Sequence, residues 1–433
     1  MDPQISSITK RNFFRLLPLL FVCYIAAYLD RINIGFAALT MNKDIGLSAY
    51  TFGLGAGVFF IGYFIFEIPS NLILERVGAR RWIARIMLSW GVLATAMVFV
   101  TGPASFLLAR FLIGVAEAGF FPGVILYLTY WFPQVYRARI IAAFMVAIPA
   151  SLALGAPIST AILAMDGIAG LKGWQWLYIL EGLPTIILAF VVLFTLPDRP
   201  RDATWLTEQE KTALETLIQS ERKAVDTAHG MTLWRIFTDP RVLGLAFIYF
   251  ANTTTNLGLA FFLPQILKGL GLSNTAAGLL TAVPYIVGTI GILAWGYVSD
   301  RTGERRFSLA LALLVSGIGL AAAGWLSTSL TSVVMMSVAA IGIYGTKAPF
   351  WPLPSMFLSG SAAAGGIALI NSVGNLGGFA GPYMVGWIKD ATGSFEAGLF
   401  GLAAWSFAAV IVTLLIVKKE ERPLPSATIQ NVS

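Results

Sequence analysis

Twelve apolar stretches follow one another along the chain, centred near Ile25, Ile61, Leu93, Ala118, Leu152, Leu188, Phe250, Tyr285, Ile318, Ile341, Gly374 and Trp405. Each approaches the roughly 20 residues that a helix needs to cross the hydrocarbon core of a bilayer. One long polar stretch, Pro197 to Pro240, interrupts them after the sixth. The pattern predicts an all-α membrane protein of twelve transmembrane helices in two six-helix bundles, residues 1–196 and 242–433, joined by a linker over 197–241. Within the linker, Thr207-Glu208-Gln209-Glu210 has capping-box spacing ahead of an apolar stripe of Leu214, Leu217 and Ile218. A short amphipathic helix along the cytoplasmic membrane surface is predicted there, serving as a tether.

The division into halves is visible in a repeat. Glu75-Arg76-Val77-Gly78-Ala79-Arg80-Arg81 returns as Asp300-Arg301-Thr302-Gly303-Glu304-Arg305-Arg306, 225 positions later (75 to 300), each copy a basic turn between two apolar runs. Glu75, Arg76, Asp300 and Arg301 are the gate candidates. Glycines at four-residue spacing, Gly53 and Gly57 in the second helix and Gly374, Gly377, Gly378 and Gly381 in the eleventh, permit close helix approach and mark these two helices as candidates for sliding between halves.

Composition agrees with the membrane class: 57% of residues are hydrophobic and 12% charged, against about 25% charged in soluble domains. The net charge of +7 is topological. Of 29 basic residues, 22 fall in segments on one side of the predicted helices and four, Lys43, Lys172, Lys268 and Lys389, on the other. By the positive-inside rule both termini are cytoplasmic, and no nucleic-acid partner is needed. Lys10 and Arg11 precede an apolar stretch longer than a signal segment, which reads as an uncleaved first helix. The single cysteine, Cys23, excludes an intrachain disulfide; no metal-ligand spacing or cofactor motif is present. The one histidine, His229, lies in the linker, which excludes an intramembrane Ser/His dyad and argues against an enzyme.

Three basic residues remain inside predicted helices: Arg31, Arg110 and Lys347. A charge at the helix centre costs at least about 2.5–3.5 kcal/mol, so such residues face polar cavities and have partners. Three carboxylates lie at comparable depth, Asp30, Glu67 and Glu117. Asp30 and Arg31 are neighbours, about 100° apart on a helix, and cannot point at one spot. Arg110 and Glu117 are seven positions apart and share a stripe with Gly114 between them. A carboxyl balanced between burial and a nearby guanidinium can load and release a proton; the competing reading makes Asp30, Arg110 and Glu117 a fixed network joining helices one and four. Arg31 is the candidate anion binder, since guanidinium keeps its charge and binds carboxylate with two donors. Lys347, just ahead of Pro349 and Pro352, either faces substrate or snorkels to the cytoplasmic surface. Glu67, followed by Pro69, reads as structural near the charged loop. Tyr28, Tyr63 and Trp351 are candidate walls. Asn252 to Asn256, and Asn371 with Asn375, are candidate polar contacts.

These residues resemble the major facilitator superfamily, and within it the anion:cation symporter family, in its bacterial tartrate and phthalate branch. The second loop copy, Gly296 to Arg306, is close to the superfamily signature, whereas the first has Asn71 and Glu75 in place of its Gly and Asp. Tyr28-Leu29-Asp30-Arg31, Phe66 to Asn71, Arg110 through Glu117 to Gly123, Trp131-Phe132-Pro133 and Asn371 with Gly374 to Gly378 carry the family likeness. The resemblance implies a monomeric importer in the bacterial inner membrane that moves a small organic anion with protons by alternating access. It implies that Arg31 binds the carboxylate, that Asp30 and Glu117 carry protons with Arg110 coupling them, and that Tyr28, Tyr63, Trp351 and Asn371 line the site. Ala147-Ile148-Pro149-Ala150 is apolar where sugar-acid members place an amide, which favours a compact or aromatic acid. Proton-independent anion exchange and efflux antiport are the alternatives on the same fold.

Overall fold

The computed structural model describes residues 3–227, 238–326, 329–356, 358 and 360–417; His229 and the C-terminal cations Lys418, Lys419 and Arg422 lie outside them. Among these residues eleven helices are long and apolar enough to cross a membrane. The predicted eleventh span is instead two 16-residue helices, Gly360–Asn375 and Gly377–Thr392, that meet at Leu376. Leu376 keeps right-handed helical backbone angles, so the pair reads as one broken span.

The first half contains α1 (Pro3–Asp44), α2 (Ala49–Val77), α3 (Ala79–Ala96), α4 (Pro103–Glu117), α5 (Phe120–Trp131), α6 (Gln134–Met145), α7 (Ala147–Leu163) and α8 (Gly173–Thr195), followed by linker helix α9 (Glu208–Thr227). The second contains α10 (Pro240–Gly269), α11 (Asn274–Leu280), α12 (Ala282–Thr302), α13 (Arg305–Trp325), α14 (Thr331–Gly345), α15 (Lys347–Phe350), α16 (Gly360–Asn375), α17 (Gly377–Thr392) and α18 (Phe395–Ile416).

Prolines explain where several spans break. A proline lacks the N–H that would bond the carbonyl four residues back, and its ring crowds that carbonyl. Pro149, Pro284 and Pro349 follow the last residues of α6, α11 and α14 by four positions, and Pro122 follows the α4–α5 junction residue Ala118 by four. Pro122 and Pro349 are separated by nearly the same offset as the loop copies, so the fourth helix of each half breaks at an equivalent place. Glu117 ends α4 at the first break and Lys347 starts α15 after the second.

One apolar core joins the two halves. It gathers Phe52, Phe59 and Phe60 of α2 with Phe261, Phe262 and Leu263 of α10 and Val385 of α17. Two further cores each belong to a single half: one around Trp90, Trp131 and Phe144 and one around Leu313, Phe350 and Ile370. The molecule therefore closes at the end carrying few basic residues and parts at the end carrying the basic loops. At the closed end α2 lies on α17. A Cβ on Gly53 would stand 2.2 Å from the Pro382 carbonyl oxygen, Gly57 packs on Phe379 and Gly378 on Phe60, so these three serve contact between halves, whereas Gly374, Gly377 and Gly381 pack on α10 of their own half. The Asp390 carboxylate accepts the N–H groups of Ala49 (3.1 Å) and Tyr50 (2.9 Å), capping α2 from the other half.

The linker helix forms where the capping box placed it: the Thr207 N–H donates to Glu210 Oε2 at 2.9 Å. Its apolar stripe packs on the first half of the protein. Leu214 and Ile218 are buried in the core of the first half. Arg11 donates to Glu210, Trp205 donates to Asn12 Oδ1 at 2.9 Å, and Trp205 stacks on Trp131. The Arg11 guanidinium, then the Thr207 N–H, hold the Glu210 carboxyl below its usual range.

Removing a helix-capping side chain costs about 1 kcal/mol, close to a fivefold shift in a two-state equilibrium. Spin labels at the exposed positions Lys172 and Thr392 report separation of the halves at the closed end. In Asp390→Ala the long-distance population is expected to rise about fivefold; an unchanged distribution removes Asp390 as a latch.

Candidate functional site

Between the halves, near the proline breaks of α4–α5 and α14–α15, the ionic side chains of α1, α2 and α4 come together. Arg31 Nη2 donates to Glu117 Oε1 in an ion pair joining α1 to α4. The Arg31 side chain keeps 16% of its surface accessible and Glu117 only 2%, so Arg31 is the more accessible member of the pair. Its Nε is buried with no hydrogen-bond partner. Aromatic rings surround it: Phe59, Tyr28, Tyr63 and Phe60 have centroids 5.3, 5.5, 5.5 and 6.0 Å from the guanidinium carbon. Cation–π attraction of about 0.5–2 kcal/mol per ring offsets part of the lost hydration.

Arg110 is 1% exposed and does not pair with Glu117. Its Nε donates to the Gly55 carbonyl at 3.3 Å and its guanidinium lies 5.0 Å from the Phe59 centroid, so the Phe59 ring stands beside both arginines. Asp30 turns away, as the 100° step requires, and accepts from Trp90 Nε1 and Thr185 Oγ1, both at 2.8 Å. The fixed Asp30–Arg110–Glu117 network is thus not formed; the ionic contact between helices one and four is Arg31 with Glu117.

Glu67 is buried on α2 one turn after Tyr63 and acts electrostatically on Arg31, Tyr63 and Tyr249. A fourth buried carboxylate, Glu181 on α8, escaped the sequence count; its signal was a lone acid in the apolar run Tyr178-Ile179-Leu180-Glu181.

From the second half, Lys347 does not snorkel. Its Nζ lies 5.3 Å from the Tyr249 centroid, and Tyr249 stacks on Phe350 at 5.5 Å and meets Trp351 edge-on at 5.1 Å. Tyr249 was not among the sequence candidates. Gly374 of α16 packs against its ring, and Asn371, one turn earlier and half-buried, shares that side of the helix. The Asn252 to Asn256 stretch is largely structural: Asn252 Nδ2 donates to the Ile343 carbonyl at 3.1 Å, and Thr255 meets Ser406 at 3.5 Å.

The first loop copy binds the start of the linker and the second makes contacts inside its own half. Asp198 accepts from the Arg80 N–H at 2.8 Å, Arg301 donates to Tyr297, and Arg305 donates to Ser299. Glu75 and Arg76 are exposed at the end of α2; Asp300 lies in α12, with its side chain outside the described residues. Among the described residues no cluster of three or more possible metal ligands occurs.

A family model described as Major Facilitator Superfamily matches residues 20–382 and 242–431. A protein from Agrobacterium vitis named "Putative tartrate transporter" is 47% identical over 97% of this chain and 94% of its own. One from Acinetobacter baumannii named "Quinolone resistance transporter" is 42% identical over 94% of each chain. A solved structure of the xylose transporter XylE from E. coli in an inward open conformation superposes with a TM-score of 0.76 at 14% identity, over 95% of this chain and 97% of that one.

The α4–α5 break depends on Gly119, which sits at φ +87° with the Ser70 hydroxyl 2.3 Å from where a Cβ would stand. Gly119→Ala is expected to lower stability by about 1–2 kcal/mol from the left-handed backbone alone, and more from the Ser70 contact. Thermal unfolding in detergent checks it, with partial recovery expected in Gly119→Ala/Ser70→Gly; equal melting of wild type and single variant counts against the strained break.

Proposed function

The chain belongs to the Major Facilitator Superfamily, and on the premise that it is a multi-pass membrane transporter and not an enzyme, we propose that it imports a small organic anion together with protons. The observation that carries this reading is the Arg31–Glu117 pair: a permanent cation held by a carboxylate that can be neutralised. A proton on Glu117 weakens its hold on Arg31, and a substrate carboxylate can then take both the released Nη2 and the unpartnered Nε as a two-donor contact. The anion and the proton thus favour each other's binding, which is the coupling that symport requires.

The rings of Tyr28, Phe59, Phe60 and Tyr63 give the box flat apolar walls, suited to a compact or aromatic acid; tartrate-like and phthalate-like carboxylates are the proposed class. Lys347, Tyr249, Trp351 and Asn371 stand on the other half, placed to meet a second polar group of the substrate when the halves close. Glu67 beside the box disfavours an anion unless it too is protonated. In this scheme Arg110 positions Phe59 and the break region, and Asp30 carries a proton.

The basic end, open here, is assigned to the cytoplasm of a bacterial inner membrane, with both termini on that side and the protein acting as a monomer. The two halves rock about the central site, and Glu75, Arg76, Asp300 and Arg301 serve as the gate when the basic end closes. The similarity to a protein named for quinolone resistance supports a second reading, in which the same pair drives efflux by antiport.

Proteoliposome uptake of aromatic and hydroxy carboxylates, with and without an imposed pH gradient, tests both. Symport predicts accumulation inside vesicles whose exterior is acidic, and antiport predicts the opposite direction. Arg31→Ala is expected to abolish uptake in folded protein, and wild-type rates in that variant would remove the core of the proposal. Glu117→Gln is expected to retain counterflow exchange and to lose accumulation driven by the pH gradient.

A further inference from the structure

A second polar cluster lies in the first half, distinct from the Arg31 box. Asp30 Oδ2 is held by Trp90 of α3 and Thr185 of α8. One turn before Thr185 on the same face of α8 is Glu181, whose Oε1 accepts from Ser159 Oγ of α7 at 2.8 Å. Asn33, one turn after Asp30 on α1, is fully buried and lies beside the Glu181 carboxyl. Four helices therefore converge on two carboxyl groups, at 4% and 6% residue exposure. Each has one oxygen donated to; of the other two, Asp30 Oδ1 is buried with no donor, and Glu181 Oε2 has only the buried Asn33 amide beside it.

The charges around the pair decide its state. Glu117 acts on Asp30 from α4, Asp30 acts on Glu181, and Tyr178 stands near Glu181. Among the described residues neither carboxyl has an ion-pair partner: Arg31 is spent on Glu117, and Arg110 acts on Tyr178 and Glu117. Two ionised carboxylates buried close together with no cation paired to either repel one another strongly. A single proton removes one charge and supplies a donor for an oxygen that has none.

We propose that Asp30 and Glu181 form a proton-binding pair, separate from Arg31 and Glu117, that holds one proton between them in the substrate-free protein at neutral pH. The proton resides on Asp30 Oδ1 or Glu181 Oε2. When the pair discharges, the O–H bond breaks, the proton passes to water at the open end, and both groups are left as carboxylates. Its part in transport rests on the proton coupling proposed above; its existence does not. Two carboxyl sites then stand apart, Glu117 of α4 beside Arg31 and Asp30 of α1 with Glu181 of α8, so the Arg31 site need not carry every proton that moves.

The test is infrared spectroscopy of the substrate-free protein in nanodiscs at neutral pH, reading the carbonyl stretch of protonated carboxyl groups. Wild type is expected to show this band, and Glu181→Gln and Asp30→Asn each to lose the intensity of one carboxyl, because the remaining group keeps its donors and ionises. Glu67→Gln, which touches neither group, leaves that contribution in place. Ser159→Ala, a mild change should the amide variants fail to fold, is expected to move the band without changing its intensity. Equal intensity in wild type and both amide variants, or no effect of Ser159→Ala on band position, overturns the pair. In proteoliposomes the protons moved per substrate are expected to fall by one in Glu181→Gln; an unchanged ratio overturns its part in transport. If wild type moves no protons at all, symport fails while the infrared result still decides the pair.

Discussion

Each charge that this chain carries into the membrane must be met by something other than bulk water, at a cost of at least about 2.5–3.5 kcal/mol if it is not. The way each one is met organises the interior. Arg31 is met by Glu117 and four aromatic rings, Arg110 by a backbone carbonyl and the Phe59 ring, and Lys347 by Tyr249. Asp30 takes the Trp90 indole and the Thr185 hydroxyl, and Glu181 takes the Ser159 hydroxyl. Not all of these arrangements are complete. Arg31 Nε, Arg110 Nη2, Asp30 Oδ1 and Glu67 Oε2 are all buried without partners, and such unpaired capacity is what a ligand or a proton can satisfy.

The backbone makes room for this chemistry through its breaks. Prolines four residues downstream end α6, α11 and α14 and set the α4–α5 junction, and at the two breaks nearest the site the freed carbonyls belong to the buried residues Gly345 and Ala118. Glu117 and Lys347 sit at the equivalent breaks of the two halves but belong to different chemistry, an acid on one side and an amine over an aromatic ring on the other. Duplication thus supplied the scaffold, and the side chains then diverged. Closure of the halves is equally one-sided. Small residues on α2 and α17 allow backbone contact at the end where Asp390 caps α2, while at the basic end each half keeps a core of its own.

Much of this was legible in the chain. Apolar run lengths set the number and order of the spans, the duplicated basic turn set the two halves, and the rarity of charge in apolar runs picked out Arg31, Arg110, Glu117 and Lys347. Glycine spacing pointed to the contact of the second and eleventh helices, and the capping box to the linker helix. Position along a helix does not give position in space. Glu67 lies one turn after Tyr63 and interacts with Arg31 of another helix, and Glu181, a lone acid in an apolar run, lies one turn from the hydroxyl that binds Asp30.

The sequence by itself determined the class of protein, most of its helices, the proline break after Lys347 and which ionisable groups lie in apolar runs, because those follow from local rules: helix length against bilayer thickness, proline against hydrogen bonding, charge against hydrocarbon. Partnership was decided only by the tertiary structure. That Glu117 pairs with Arg31 and not Arg110, that Asp30 faces α3 and α8, and that Tyr249 supports Lys347 depend on how several helices rotate and approach one another. Those rotations are set by side-chain packing summed over the whole interface, which no single stretch of sequence contains.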